Sequence, residues 1–372
     1  MADQRLTSIE IEGFTSIRSA RVELRDLNIL VGANGAGKSN LIRVFELLGR
    51  MVDGELGLYV GLNGGASALL NATTSQIRLA VTTETSRYHA LLRQSAGDKF
   101  IFAAESIGFT GDGIDQESLG RGHKESELSS LHGPGPYGDA PARQFVGFVK
   151  GCRVYHFDNT GADAPVKRQV PTGDNLALRD DAENLAAVLL RLKVSNRVED
   201  RAAYRRITGA VRLAAPFFRD FVLADEFGSD RVRLRWKHRD FDRVFSANQL
   251  SDGTLRFICL TTLLLQPRLP GLVVLDEPEL GLHPYAIVLL ADMLRQASKR
   301  SQVLLATQSV TLMNQFTIED LIVVEQRNGN SEFNRPDPET LRSWLEAYSL
   351  GELWEKNLIG GQPGSTGSVL DG

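Results

Sequence analysis

Eight residues constrain this chain more than any others: Gly32-Ala33-Asn34-Gly35-Ala36-Gly37-Lys38-Ser39, which keep the spacing G-x-x-x-x-G-K-S. The apolar run Leu27-Asn28-Ile29-Leu30-Val31 leads in, and Leu41, Ile42, Val44, Phe45 and Leu48 lead out at helical spacing. A strand that turns into a helix through glycine-rich backbone points several N–H groups into one concavity, where the helix dipole favours an anion. The expectation is an α/β chain with a phosphate-binding loop. Asn34, Gly35, Ala36, Gly37, Lys38, Ser39 and Asn40 are its candidate nucleotide contacts. Lys38 would reach the β- and γ-phosphates and the Ser39 hydroxyl would ligate a metal, so ATP and Mg2+ are the expected ligands.

A second piece is Leu272-Val273-Val274-Leu275-Asp276-Glu277. Four apolar residues predict a buried parallel strand, with two carboxylates at its C-terminal end, where open α/β sheets bind ligands. Asp276 joins Ser39 as a candidate Mg2+ ligand. Glu277 is the candidate catalytic base that polarises the attacking water. A third piece, Leu250-Ser251-Asp252-Gly253, opens a helix 25 residues before Asp276. Ser251 and the N–H of Gly253 are candidate γ-phosphate contacts at that helix N-terminus. A plain helix cap would give the same residues, and the two readings are compatible.

Alternating residues at Leu6–Ile11 and Ala20–Leu24 predict half-buried strands. Apolar segments at 77–82, 88–93 and 99–109 predict an antiparallel β region. Residues 111–142, rich in Gly, Ser, Pro and charge, read as a long mobile insertion. Phe145 to Phe157 reads as strand, and 175–213 as helix with Leu176, Leu185, Val188, Leu189 and Leu192 on one face. A strand pair is expected at 221–224 and 231–236, and strands at 302–306 and 321–325. The expected domains are a first lobe over 1–160, a helical lobe over 161–270, a completing segment over 271–359, and a disordered tail over 360–372.

With these motifs in hand, the chain resembles the RecF/SMC-type ABC ATPases, and within them the compact ATPases related to the OLD group. The resemblance is carried by Gly13-Phe14-Thr15-Ser16, Gly32–Asn40, Leu250–Arg256, Asp276–Pro284, Ala306-Thr307-Gln308-Ser309 and Tyr348–Trp354. It implies an ABC-type ATPase head with an antiparallel β subdomain and a helical signature lobe. It also implies two subunits sandwiching two ATP molecules, with Ser251 acting in trans and Glu279–His283 along the seam. Gln308 stands where many relatives have a switch histidine. It is the second candidate catalytic residue, able to donate a hydrogen bond but not to carry a proton. The Q-loop residue is Asn159 or Gln144. Thr15 replaces a frequent arginine near the nucleotide.

Net charge is −4, which excludes a uniformly basic chain, yet residues 191–243 carry fourteen Lys or Arg against eight Asp or Glu. That local surplus suits a nucleic-acid backbone, and equally an ordinary solvated surface. Two distant cysteines, Cys152 and Cys259, offer no metal pair or disulfide framework, as expected in a reducing cytoplasm. No apolar run approaches the ~18–20 residues of a membrane span. The 47 residues after Glu325 are too few for a Toprim nuclease domain. The expected partners are therefore a second copy (a homodimer or higher oligomer), a separate effector protein and, through 191–243, nucleic acid, with no membrane. The competing class is the ATPase subunit of a membrane transporter, disfavoured by Glu279–His283 after Asp276-Glu277-Pro278 and by Thr254 after the signature.

Overall fold

The computed structural model describes residues 4–109, 117–132, 140–224 and 230–362. The chain divides into two compact units, Met1–Val154 with Pro270–Val274 and Ser301–Gly372, and Tyr155–Leu269 with Leu275–Arg300.

In the first unit, the expected antiparallel region is a sheet ordered Ile17–Glu23, Leu6–Phe14, Gln76–Thr83, Ser86–Ser95, Lys99–Phe109 and Glu117–Gly120. A second sheet is ordered Asn330–Asn334, Leu321–Arg327, Leu27–Val31, Gln302–Thr307, Leu272–Asp276 and Cys152–Tyr155. Leu27–Val31 is buried at every position and runs parallel to both neighbours, pairing Leu304 with Asn28 and Ile322 with Leu30. A strand covered on both faces needs a continuous apolar run rather than alternation. Helix Lys38–Asp53 follows and buries Leu41, Ile42, Val44, Phe45, Leu47, Leu48, Met51 and Val52. Gly54 ends it in the left-handed conformation, donating its N–H to Arg50 O and Met51 O.

Two expectations for this unit are corrected. Phe145–Phe157 is not one strand: helix Ala140–Lys150 precedes the strand Cys152–Tyr155. Ala142, Phe145, Val146 and Val149 are buried at helical spacing, and the strand begins only after Gly151. The segment 111–142 is not one loose loop either. Residues 117–120 extend the sheet, and Leu128 and Leu131 enter the core. The buried Glu105 carboxylate anchors it, accepting from Tyr88 Oη at 2.6 Å, the Glu127 N–H at 2.9 Å and the Ser126 hydroxyl. The remainder of that expectation, 111–116 and 133–139, lies outside the described residues.

The second unit packs helices Leu185–Val194, Val198–Ala214, Asp252–Leu265 and Pro284–Ser298 beside a small sheet, Phe218–Phe221, Arg235–His238 and Val244–Ser246. Leu185, Val188, Leu189 and Leu192 are buried as expected, but Leu176 is 89% exposed. The helix begins later because fully buried Asn184 organises the turns before it. Its Oδ1 accepts from Arg179 N at 2.9 Å, and its Nδ2 donates to Ala177 O at 2.8 Å and Asp174 O at 3.1 Å. Among the described residues, no helix is long and apolar enough to cross a membrane.

Candidate functional site

Gly37 occupies the N-cap of the helix Lys38–Asp53, in the left-handed region at φ 112°. The N-terminal N–H groups of this 16-residue helix face the loop that precedes it, where an anion would find both donors and a favourable dipole. Lys38 is 5% exposed, and its Nζ donates to Gly32 O at 2.6 Å and Ala33 O at 3.0 Å. The lysine is thus coiled back across its own loop. Asn34, Gly35 and Ser39 are exposed, whereas Ala36 is buried.

A relay that sequence reasoning missed braces the loop from beneath. Asn40 Nδ2 donates to Ser16 Oγ at 2.6 Å, Ser16 Oγ meets Ser331 Oγ at 2.6 Å, and Ser331 Oγ donates to Ala36 O at 2.7 Å. An amide NH2 can only donate and a carbonyl can only accept. Every proton direction follows: Asn40 to Ser16, Ser16 to Ser331, Ser331 to Ala36. A Cβ at Gly37 would fall on Ser331 Oγ and lie 2.7 Å from Ser331 Cβ. The motif glycine is therefore required by a strand almost three hundred residues away. Asn40, expected to contact nucleotide, has its amide engaged in this brace. Thr15 lies in the tight turn next to Ser16 at φ 47°, with its carbonyl held by Asn71 Nδ2 at 2.7 Å.

Gln308 is in the first unit as well, following the fully buried strand Gln302–Thr307. The Thr307 hydroxyl accepts from Ser309 N at 2.9 Å, and the Ser309 hydroxyl caps the next turn by accepting from Leu312 N.

The second unit contains the remaining candidates. Asp276 ends the strand Leu272–Asp276. Glu277 has φ 43°, a left-handed conformation worth about 1–3 kcal/mol of strain for a non-glycine residue and concentrated at functional turns. Leu280 N–H bonds back to Glu277 O at 3.2 Å, closing the turn. Ser251 is exposed and caps helix Asp252–Leu265, accepting from Thr254 N at 3.2 Å. The plain capping role is thus present. A Cβ at Gly253 would fall on Gly281 O, so only glycine permits the signature helix to approach that turn. Arg256 fastens the same contact, donating from Nη1 to Leu280 O at 2.6 Å and from Nε to Phe157 O at 3.1 Å.

Of the alternatives for the Q-loop, Gln144 lies on the solvent side of helix Ala140–Lys150, while Asn159 is exposed in the irregular segment after Cys152–Tyr155. His283 caps helix Pro284–Ser298. Among the described residues there is no metal-binding cluster of His, Cys, Asp and Glu. The expected Mg2+ ligands, Ser39 and Asp276, are instead a hydroxyl and a carboxylate, hard oxygen donors of the kind Mg2+ takes alongside water and phosphate.

Most basic side chains of 191–243 serve the unit's own structure. Arg191 pairs with Asp200 and Lys193 with Asp220. Arg201, Arg206, Arg212, Arg231 and Arg235 donate to backbone carbonyls, and Arg243 lies over the Phe245 ring. Hydrogen bonds to neutral carbonyls leave a guanidinium charged, so these contacts order the side chains without removing the local positive surplus.

Two families match the chain. One described as "AAA domain, putative AbiEii toxin, Type IV TA system" covers residues 166–314, and one described as "AAA ATPase domain" covers 5–75. No curated protein matches. Among solved structures, an SMC head bound to the C-winged helix domain of ScpA is 15% identical, with a TM-score of 0.56 over 91% of this chain and 99% of that one. An SMC head with an extended coiled coil, bound to the C-terminal domain of ScpA derived from Pyrococcus furiosus, is 16% identical, with a TM-score of 0.53 over 92% of this chain and 99% of that one. The fold is that of an SMC head, and the two family matches include Gly32–Ser39, Leu250–Gly253, Asp276–Glu277 and Gln308. Together they support an ATPase of the AAA/SMC-head type.

Proposed function

We propose that this SMC/RecF-like ATPase binds MgATP, dimerises around it, and passes the resulting change of state to a separate effector protein. The carrying observation is the loop itself: a helix N-terminus, a buried Lys38 already turned across the loop, and a glycine that a distant strand requires. Lys38 would leave the Gly32 and Ala33 carbonyls for the β- and γ-phosphates, and the loop N–H groups would donate to the remaining phosphate oxygens. Mg2+, held by Ser39 and Asp276, would supply charge neutralisation between the phosphates. Glu277 would take the proton of the attacking water, and Gln308 would donate to the γ-phosphate. Ser251, exposed at its helix N-terminus, would meet the γ-phosphate of the opposite subunit. Nucleic acid at the basic residues of 191–243, which keep their charge, is the second reading. The toxin–antitoxin family description is consistent with a defence role in the cytoplasm.

The test mixes two dead variants. Ser251→Arg should bind ATP but not hydrolyse it, and Lys38→Ala should do neither. A heterodimer of the two holds one site with both defects and one with neither, so mixing should restore part of the ATPase activity. Full activity of Ser251→Arg alone would remove Ser251 from the site. Binding of duplex or single-stranded DNA tight enough to survive physiological salt would move the role from effector to nucleic acid.

A further inference from the structure

The last described residues were expected to be a loose tail beginning at Gly360. Gly360 and Gly361 are instead buried and Gly361 is hydrogen-bonded, while 363–372 lie outside the described residues. Gly361 O accepts from Ala33 N at 2.7 Å, and Gly361 N donates to Glu325 Oε1 at 2.9 Å. Glu325 is 6% exposed, and its other oxygen pairs with Arg327 at 3.0 Å. Ala33 is the residue whose carbonyl holds Lys38 Nζ. A continuous chain therefore runs from Glu325 through Gly361 and Ala33 to Lys38. It orients the Ala33 amide, at the mouth of the loop, from a segment more than three hundred residues downstream.

The same segment is anchored at its other end beside Gln308. Helix Leu350–Glu355 packs on the turn Val310–Met313 that Ser309 caps. Gly351 N donates to Asn314 Oδ1 at 2.6 Å, and a Cβ at Gly351 would fall on Val310 Cγ1. Between the two anchors, Gln362 Nε2 donates to Trp354 O at 3.0 Å. Gly361 has φ 85°, which disfavours any other residue, and a Cβ there would be tightly placed, 3.2 Å from Trp354 Nε1 and 3.4 Å from Gly32 Cα.

We propose that Leu350–Gln362 is a strap that positions the phosphate loop and couples it to the turn following Gln308, with Glu325, Gly351 and Gly361 as its positioning residues. The inference rests on nucleotide binding at this loop. Fixing the Gly32–Ala33 backbone keeps the loop N–H groups in their binding arrangement before the triphosphate arrives, which raises affinity by lowering the ordering that binding requires. Occupancy of the loop is then felt at the turn after Gln308 through one short piece of chain.

The test is equilibrium binding of N-methylanthraniloyl-ATP with Mg2+ to the full chain. Glu325→Met, which removes the acceptor at similar length, should weaken binding roughly tenfold or more. Glu325→Gln, which keeps a carbonyl acceptor for Gly361 N but not the charge paired with Arg327, should bind within about threefold of wild type. A merely structural Glu325 would lower the melting temperature in both variants and leave both affinities alone. That outcome, with Lys38→Ala losing binding as expected, overturns the strap and spares the nucleotide site. Absence of binding by wild type overturns both. Because Glu325→Met could fail to fold, hydrogen exchange of the unmutated protein provides a second reading. The analogue should slow exchange across 310–314 and 350–362 as well as 33–40. Protection confined to 33–40 overturns the coupling.

Discussion

Replacing Ser331 by alanine removes a single oxygen far from the phosphate loop in sequence, and its consequence can be worked out bond by bond. Ser331 Oγ donates to Ala36 O and receives from Ser16 Oγ. Ala36 is 4% exposed and Ser331 1% exposed, so water cannot readily take over either bond. Leaving a buried acceptor unsatisfied costs about 1–3 kcal/mol, and the lost bond from Ser16 adds about 1 kcal/mol. A total of about 2–4 kcal/mol is expected, shared between folding and nucleotide affinity. If all of it fell on affinity, Kd would rise roughly 30- to 700-fold. The assay pairs urea unfolding with titration of a fluorescent ATP analogue, so that the two shares are read separately. The sum of the free-energy changes should reach about 2 kcal/mol. Asn40→Ala, which removes only the terminal donor of the relay, should cost less. If Ser331→Ala matched wild type in both unfolding midpoint and Kd, the relay would not brace the loop and the steric demand at Gly37 would stand without it.

Glu277→Gln should retain ATP binding and stop turnover, since the amide cannot accept the water's proton; phosphate release within a few-fold of wild type would disqualify Glu277 as the base. Asn184→Ala should lower stability by about 2–4 kcal/mol in chemical denaturation, because three backbone groups lose a buried partner; a change below about 0.5 kcal/mol would show that water replaces the amide. Burial pushes the thiols of Cys152 and Cys259 up to about 12, so neither should react with a disulfide reagent at pH 8 until the protein unfolds. In the unfolded chain both ionise near the ordinary thiol value of 9.0. The folded state therefore holds more protons above that pH, and stability should be level below about pH 9 and fall as pH rises towards 12. A flat profile over that range in the wild type, or an equal fall in a Cys152→Ala/Cys259→Ala variant, would exclude the thiols as its cause.

The pieces that were legible are those whose chemistry is local. Gly32–Ser39, Leu272–Glu277 and Leu250–Gly253 each state in a few consecutive residues both an element boundary and a reason for it. Misreadings fell where one composition covered two elements. Phe145–Phe157 is mostly apolar, and only the break at Gly151 separates a helix face from a strand. Leu176 lies nine residues before Leu185, about two and a half helical turns and so the opposite face of a continuous helix, and Asn184 diverts the backbone between them. The polar segment around Glu127 looked unanchored because its anchor, Glu105, belongs to another strand. Ser331, Glu325 and Gly361 were invisible as site residues for the same reason. Each acts on the phosphate loop across the sheet, and a serine, a glutamate and a glycine carry no local mark of what they will touch.

The two carboxylate-bearing and serine-bearing pieces of the second unit are built as one. Gly253 has no Cβ because the Gly281 carbonyl occupies that space, and Arg256 reaches from the same helix turn to the Leu280 carbonyl. Leu280 in turn closes the left-handed turn at Glu277 through its N–H. From Ser251 to Glu277 the path is therefore a helix turn, a glycine contact, an arginine tether and one backbone hydrogen bond, with no flexible side chain acting as the sole link. On the roles proposed for Ser251 and Glu277, this path would link the N-terminus of helix Asp252–Leu265 to the strained φ of Glu277, so that whatever occupies Ser251 would bear on the orientation of the carboxylate. A site completed by a second subunit would need that property: the contact that supplies the missing half would also set the geometry of the base.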